Sequence, residues 1–212
     1  AAIRFAVDVP AARFVEQAGT AGGPASVRIE LDGYEGAAGP DGPGLPVRVV
    51  LLAVPPLGAV RVSGTGGDAE THEGVRLEGV ALSSGGAGGL PPAGWKSTVP
   101  RVRLLGVDWM RNQRVARVAV CPADYDAGAR RLTLYRRIEA TVQVEAGDAP
   151  GAAVEEADPF EQVYRGSLLN YEQGRAWRRP VAGRLPAAAL RPEGLTAFAS
   201  AVPESSVYFG RP

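Results

Sequence analysis

One cysteine, Cys121, and one histidine, His72, are the side chains of this sequence that could form a thiol nucleophile with an imidazole base. Such a pair cleaves acyl bonds because the imidazole takes the proton of the thiol. Cys121, however, ends an alternating apolar segment that predicts a strand, where cysteine is usually a small core residue. His72 lies in the polar stretch 65–74, which predicts a turn. We therefore interpret both residues as structural and predict a chain without catalytic activity.

Other kinds of site have weaker support in the sequence. A serine nucleophile would also depend on His72, and the Gly-x-Ser-x-Gly motif is absent. A zinc site needs three or four ligands. The glycine-rich stretch Gly85–Gly89 lacks the Lys-Ser/Thr ending of a phosphate-binding loop. The acidic residues Asp124 and Asp126, and the acidic stretch 155–158, do not follow a calcium-loop spacing. We interpret them as turn and cap residues and predict no metal and no cofactor.

Charge and hydropathy exclude two classes of partner. The chain has 23 basic and 23 acidic residues, so its formal net charge gives no footprint for nucleic acid. No apolar run approaches the roughly 20 residues that span a bilayer, so we expect no membrane span. The chain begins at Ala1 without a signal peptide, which indicates a processed product or a fragment. A hydrophobic fraction of 45% argues for a folded domain.

The clearest element is a strand that begins near Arg131. Alternate residues along it are apolar, and the residues between them are polar, which is the period of a half-buried antiparallel strand. The polar turn 122–128 joins it to a preceding strand, 113–121. The apolar face consists of Leu132, Leu134, Ile138, Ala140, Val142 and Val144, and the polar face consists of Thr133, Arg137, Glu139, Thr141, Gln143 and Glu145.

Short apolar runs separated by glycine and proline predict the rest of the fold. The run 47–54 is almost continuously apolar, as in a strand buried on both faces, whereas 33–46 and 83–100 predict loops. Together these runs indicate an all-β protein, an antiparallel β-sandwich with a short C-terminal helix and an extended tail. Further strands are predicted at 3–9, 27–31, 59–63, 75–82 and 102–108.

A helix is predicted after a linker. Asp158 is the expected N-cap, Pro159 the first helical residue and Glu161 the capping-box partner. We expect one face of this helix to carry Phe160, Val163, Tyr164 and Leu168. The predicted organisation is a sandwich domain at 1–147, a linker with the short helix at 148–177, and an extended tail at 178–212.

Three segments, in order, resemble the N-terminal prodomain of gingipain-type cysteine peptidases. The first is Pro43-Gly44-Leu45-Pro46 with the apolar strand that ends at Val54-Pro55. The second is Val115–Val144, a strand, a Pro-x-x-Tyr turn and a strand rich in Leu, Arg and Tyr. The third is Phe160–Arg175, which contains Asn170-Tyr171-Glu172.

The resemblance implies a non-catalytic β-sandwich that covers the active site of a secreted, caspase-like cysteine peptidase, keeps it inactive and assists its folding. The implied partner is the catalytic domain, and the implied location is secreted or at the cell surface. An alternative reading of the sequence is a structural or adhesive β-sandwich module of a cell-surface assembly.

The resemblance also assigns candidate residues. In that family a loop presents a basic residue to the specificity pocket, which makes Lys96 the first candidate and Arg101 the second. Trp95 would exclude water around that contact, since aromatic side chains dominate binding hot spots. Arg175, just after Asn170-Tyr171-Glu172, is the candidate processing site. Trp109 and Trp177 are equally well explained as core or interface residues.

Overall fold

Antiparallel strands make up most of the residues that the computed structural model describes. The structure describes residues 1–18, 25–39, 42–77, 96, 100–145 and 160–179. The strands are β1 (Ala2–Asp8), β2 (Arg13–Gln17), β3 (Ser26–Glu30), β4 (Glu35–Gly39), β5 (Gly42–Ala53), β6 (Val60–His72), β7 (Val102–Met110), β8 (Gln113–Val120), β9 (Ala123–Asp126) and β10 (Arg131–Val144). Two short helices, α1 (Glu161–Ser167) and α2 (Tyr171–Gly174), precede a 3-10 turn, Arg175–Trp177.

The described strands form two four-stranded sheets and one hairpin. In the first sheet β10 lies between β1 and β6, and β9 pairs with the start of β10. The second sheet has the order β4-β5-β8-β7, and β2 pairs with β3. All the pairs between strands are antiparallel. The predicted antiparallel, all-β fold is therefore confirmed.

The core lies between the inner faces of the two large sheets. All six residues predicted for the apolar face of β10 are buried, which confirms the period-of-two prediction. Ile138, Ala140 and Val142 belong to the same buried cluster as Val50 and Val118 of the second sheet. A second cluster, under the β2–β3 hairpin, contains Ile29, Leu31, Leu45, Leu77, Cys121, Ala123, Tyr125, Leu132 and Leu134.

Several predicted loops are strands in the structure. The stretch 33–46 contains β4 and the beginning of β5, where Leu45 pairs with Ala37 and is buried. The stretch 65–74 is mostly the second half of β6, and His72 pairs with Leu132. These predictions were wrong because glycine and polar residues disfavour strands only weakly when a long partner strand supplies the hydrogen bonds.

Other element boundaries also differ from the prediction. The predicted turn 122–128 contains the short strand β9, and the chain reverses just after it, with Arg130 at a φ of 51°. The strand 47–54 is not buried on both faces, since Val49 is 51% exposed. Strand β2 was not predicted, and residues 78–82 of the predicted strand 75–82 lie outside the described residues.

The C-terminal helix begins at Glu161, with Phe160 at the N-cap and no side-chain hydrogen bond to the cap. The capping-box prediction is wrong because Glu161 points into the protein, and Val163 is exposed. Tyr164 and Leu168 are buried as expected. Asp158 and Pro159 lie outside the described residues. Residues 1–180 form one compact unit, and the domain boundaries drawn from the sequence stay predictions.

Candidate functional site

Cys121 and His72 have the surroundings of structural residues. The Cys121 thiol is buried and donates to the carbonyl oxygen of Ala123 at 3.5 Å. Burial raises the pKa of this thiol, so the reactive thiolate is disfavoured. His72 packs edge-on against the Phe14 ring, and its Nε2 lies 3.3 Å from a carboxylate oxygen of Glu70. Cys121 is therefore a buried packing residue, and His72 on β6 packs across to Phe14 of the β2–β3 hairpin.

No group of three His, Cys, Asp or Glu side chains that could hold a metal ion exists in the described part of the chain. The two aspartates of β9, which the sequence offered as calcium candidates, are used differently. Asp124 binds Arg101 and Asp126 binds Lys96, two basic residues that precede β7 in the sequence. This region is the candidate site, and its basic residues are those the sequence singled out.

Lys96 lies at one end of this site. It forms an isolated antiparallel bridge with Asp126, and its Nζ is 3.0 Å from Asp126 Oδ2. The Asp126 carboxylate also accepts a hydrogen bond from the backbone N–H of Ala129 at 3.0 Å. That backbone bond and the Lys96 ammonium lower the pKa of Asp126. The Lys96 side chain nevertheless remains 70% exposed, so its ammonium is accessible to a partner.

Arg101 lies at the other end and is much more constrained. Its Nη2 donates to Asp124 Oδ2 at 2.5 Å and also to the Tyr135 hydroxyl. The Tyr135 hydroxyl in turn lies 3.0 Å from Asp124 Oδ2, and the guanidinium carbon stacks 4.1 Å from the centre of the Tyr135 ring. The Arg101 carbonyl accepts a bond from the N–H of Cys121 at 2.8 Å. Arg101 is therefore fixed through both its backbone and its side chain.

The structure brings together two of the three predicted loop residues. Asp124 and Asp126 are two positions apart on β9 and so lie on the same face of that strand, where they hold Arg101 and Lys96. Trp95 lies outside the described residues. Neither Asp124 nor Tyr135 was predicted to bind these basic residues. The Pro-x-x-Tyr turn that contains Asp124 was the signal that could have drawn attention to them.

A second anchored region follows the linker. Leu168 forms a parallel bridge with Leu51, and the Leu169 N–H donates to the Leu51 carbonyl at 2.9 Å. The side-chain amide of Asn170 then bonds both backbone groups of Ala53. Together these bonds cover the end of β5 opposite its pairing with β8. The Asn-Tyr-Glu segment is therefore part of the sandwich edge.

A buried ion pair closes this C-terminal segment. Arg178 Nη1 donates to Glu161 Oε2 at 2.5 Å, and the Tyr171 hydroxyl donates to the other oxygen of the same carboxylate. Arg178 is 2% exposed and stacks over the Tyr164 ring at 4.3 Å. Burial by itself raises the pKa of Glu161, but the hydrogen bonds from Arg178 and Tyr171 outweigh it, so the pKa is lowered. Glu161 thus stays charged inside the fold.

Arg175, the candidate processing residue, lies within this closed segment. It begins the 3-10 turn, and its guanidinium is 3.9 Å from Glu161 and 3.6 Å from Glu172. Gly174, Trp177 and Arg178 are buried, whereas Ala176, which follows Arg175 directly, is exposed. Trp177 is therefore a core residue. Processing after Arg175 stays a prediction, and it would require this turn to open.

The chain continues to be held after the ion pair. The Arg179 N–H donates to the Asn112 carbonyl at 3.0 Å, and the Asn112 side chain donates back to the Arg179 carbonyl at 2.8 Å. The Arg179 guanidinium stacks 4.2 Å over the ring of Trp109, which is 43% exposed. Trp109 is therefore a surface aromatic covered by a cation of the same chain.

Comparisons with known proteins concern the fold and part of the sequence of this chain. Residues 101–177 match the family model Propeptide_C25. A solved complex of Porphyromonas gingivalis RgpB pro- and mature domains contains a similar chain, with 17% identity, a TM-score of 0.65, and coverage of 81% of this chain and 93% of that chain. A structure on the zymogenic latency of gingipain K from Porphyromonas gingivalis has 16% identity, a TM-score of 0.50, and coverage of 68% and 86%. No curated protein matches significantly. At these identities the structural likeness concerns the fold alone. The family match begins at Arg101 and includes the strands β7 to β10 and both helices.

Proposed function

We propose that this gingipain-type prodomain, the non-catalytic part of a cysteine peptidase precursor, covers the active site of the catalytic domain and keeps it latent. The observation that carries the proposal is the exposed Lys96 ammonium, which comes shortly before Arg101 in the sequence, where Arg101 is clamped to the sandwich. A latency role needs a group that excludes substrate, presented from a rigid support. The described strands and the clamp at Arg101 supply that support.

Lys96 fits the role of the group that enters the peptidase. The Lys96 side chain is 70% exposed and makes one ion pair, with Asp126, so on entering an acidic pocket it would replace one carboxylate contact with another. A rigid sandwich that presents one loop also loses little conformational entropy on binding. Trp95, the preceding residue in the sequence, would shield this contact from water. The proposed inhibitory loop is therefore Trp95, Lys96 and Arg101, with different roles for the two basic residues.

The proposal extends to folding, location and maturation. A sandwich that folds first would offer the catalytic domain a template, which is how it would assist folding. We place the protein outside the cell or on its surface, where gingipain-type peptidases act. The helices of the described segments are too short and too polar to span a bilayer. Cleavage after Arg175 would separate the two domains once the C-terminal turn opens.

The test is inhibition of the catalytic domain of the same precursor by the purified 212-residue chain. We expect the wild-type chain to inhibit, and Lys96→Ala to raise the inhibition constant at least about tenfold, as for loss of a binding hot spot. Arg61→Ala is the matched control, because Arg61 is 72% exposed and forms a similar 2.9 Å ion pair with Glu145.

A wild-type chain that binds the catalytic domain without lowering its activity would contradict the latency role. If the chain does not bind the catalytic domain and instead captures only structural surface proteins, the adhesive-module alternative is favoured. Equal inhibition constants for the wild type and Lys96→Ala would remove Lys96 from the contact.

A further inference from the structure

We infer that Arg101 is the fixed base of the inhibitory loop and that Asp124 and Tyr135 are positioning residues that hold it there, so that Lys96 alone is presented to the peptidase. This inference rests on the proposed function and assigns separate roles to its two basic candidates. Sequence alone places both basic residues in one loop and leaves open which one enters the pocket.

The contrast in exposure and bonding carries the assignment. The Arg101 side chain is 29% exposed and is bonded to Asp124 and Tyr135, whereas the Lys96 side chain is 70% exposed and has one ion pair. To enter a pocket, Arg101 would lose its bond to Asp124, its bond to Tyr135 and its stacking on the Tyr135 ring. Lys96 would lose one ion pair, with Asp126, and gain another in the pocket.

The support under Arg101 spans three strands of the first sheet. Asp124 lies on β9, where it pairs with Thr133 of β10, and the Tyr135 N–H donates to the Pro122 carbonyl at 2.9 Å. The Tyr135 ring lies against Gly66 of β6, where any Cβ atom would clash with the ring. The glycine therefore leaves the space in which the Tyr135 ring sits beneath the Arg101 guanidinium.

Arg101 lies close enough to Lys96 in the sequence for its position to restrict that of Lys96. Four residues, 97–100, separate Lys96 from Arg101 in the sequence. With Arg101 and the Lys96 backbone both tied to β9, the ammonium can sample a small volume. Releasing Arg101 would enlarge that volume, and the peptidase would have to order the loop on binding.

The first test needs no partner, because Lys96 is the only lysine of the chain. A lysine-specific endopeptidase therefore has a single target bond, and its rate reports how often the loop opens. We expect Asp124→Asn to speed cleavage after Lys96 by about tenfold while the chain stays folded, since local opening needs less free energy than global unfolding. Tyr135→Phe, which keeps the ring and removes the hydroxyl, should have a smaller effect in the same direction.

Asp8→Asn is the matched control. It removes a carboxylate that binds Arg137 at 2.9 Å in an exposed pair on the same sheet, far along the chain from the loop. Its cleavage rate should equal that of the wild type. An unchanged cleavage rate in Asp124→Asn would overturn the positioning role.

The second test measures inhibition constants for Arg101→Gln, Asp124→Asn and the double variant. If Arg101 acts through its clamp, each single change weakens inhibition by about tenfold and the double variant is no weaker than either, because coupled residues are not additive. A loss of more than about a hundredfold for Arg101→Gln, with little effect of Asp124→Asn, would place Arg101 itself in the pocket and overturn the inference.

The two tests separate the inference from the proposed function. A wild-type chain that does not inhibit, with faster cleavage of Asp124→Asn, would retain the clamp and reject the latency role. If the wild type inhibits, and Asp124→Asn has the same cleavage rate and the same inhibition constant as the wild type, the latency role is retained and the clamp is rejected.

Discussion

The side-chain amide of Asn170 makes both hydrogen bonds that a neighbouring strand residue would make with Ala53. Asn170 Oδ1 accepts from the Ala53 N–H at 2.8 Å, and Asn170 Nδ2 donates to the Ala53 carbonyl at 3.0 Å. The amide therefore continues the sheet at the edge of β5, just after Leu168 and Leu169 pair with Leu51. Only asparagine or glutamine carries a donor and an acceptor in this arrangement.

Asn170→Asp should destabilise the chain by about 1–3 kcal/mol, because the Ala53 carbonyl loses its donor and faces a carboxylate. Chemical denaturation of the 212-residue chain measures the free energy of unfolding. Gln162→Glu is the control, since Gln162 is exposed on α1 and the same amide-to-acid change should be nearly neutral there. Equal stability of Asn170→Asp and the wild type would show that the edge is held by other bonds.

Glu161→Gln should cost about 3–5 kcal/mol, because it leaves the buried guanidinium of Arg178 without its counter-charge. The variant should also change the pH dependence of stability. The pKa of Glu161 is lowered in the fold, so its contribution is present above the ordinary carboxyl value of 4.5 and is lost as the pH falls through the lowered value.

The measurement for this pair is the free energy of unfolding between neutral pH and pH 2. Glu161→Gln should flatten the acidic limb of the curve, whereas Glu139→Gln, which removes an exposed carboxylate near Arg137, should leave it unchanged. An acidic limb of the same slope in wild type and Glu161→Gln would assign the acid sensitivity to other carboxylates.

The bond after Arg175 should resist an arginine-specific endopeptidase in the wild-type chain. Proteolysis needs an opened, extended segment, and here the turn is closed by the buried Glu161–Arg178 pair. Glu161→Gln should speed cleavage after Arg175 at least about tenfold, since the population of the open segment rises with the loss of the pair. Cleavage after Arg13, on the exposed β2 strand, serves as the internal reference and should keep its rate. Fast cleavage after Arg175 in the wild type would show that the turn does not protect this bond.

Gly64→Ala should weaken the contact between the two sheets. A Cβ at Gly64 would clash with the Val102 side chain and lie 3.0 Å from the Glu139 carbonyl, so we expect a loss of about 1–3 kcal/mol in unfolding free energy. Adding Val102→Ala to the Gly64→Ala variant should recover part of the lost unfolding free energy. Gly67→Ala is the control on the same strand, where the added atom has ordinary contacts at 3.9 Å or more. An equal effect of both glycine variants would mean that strand propensity, not the sheet contact, sets the cost.

Regular alternation along one strand was enough to predict the central part of the fold. The six apolar residues that alternate along β10 between Leu132 and Val144 are buried as expected, although Arg136 on the same face is exposed. A period of two places alternate side chains on one face whatever the partner strands are. The three segments that resembled the gingipain-type prodomain also lie in described strands and helices. The prediction of a loop at 33–46 was wrong because the local composition disfavours a strand. The hydrogen bonds between β4 and β5 stabilise the strands there.

The sequence by itself therefore determined the fold class, and its resemblance to a known family offered Lys96 and Arg101 as candidates that stay predictions. Only the tertiary structure decided which charges meet. Glu161 has the spacing of a cap but binds Arg178, and Asp124 has the setting of a turn residue but binds Arg101. Local patterns report the face on which a side chain lies. The pairing of charges that are distant in sequence depends on strand register and on how the segments fold back, which no local pattern contains.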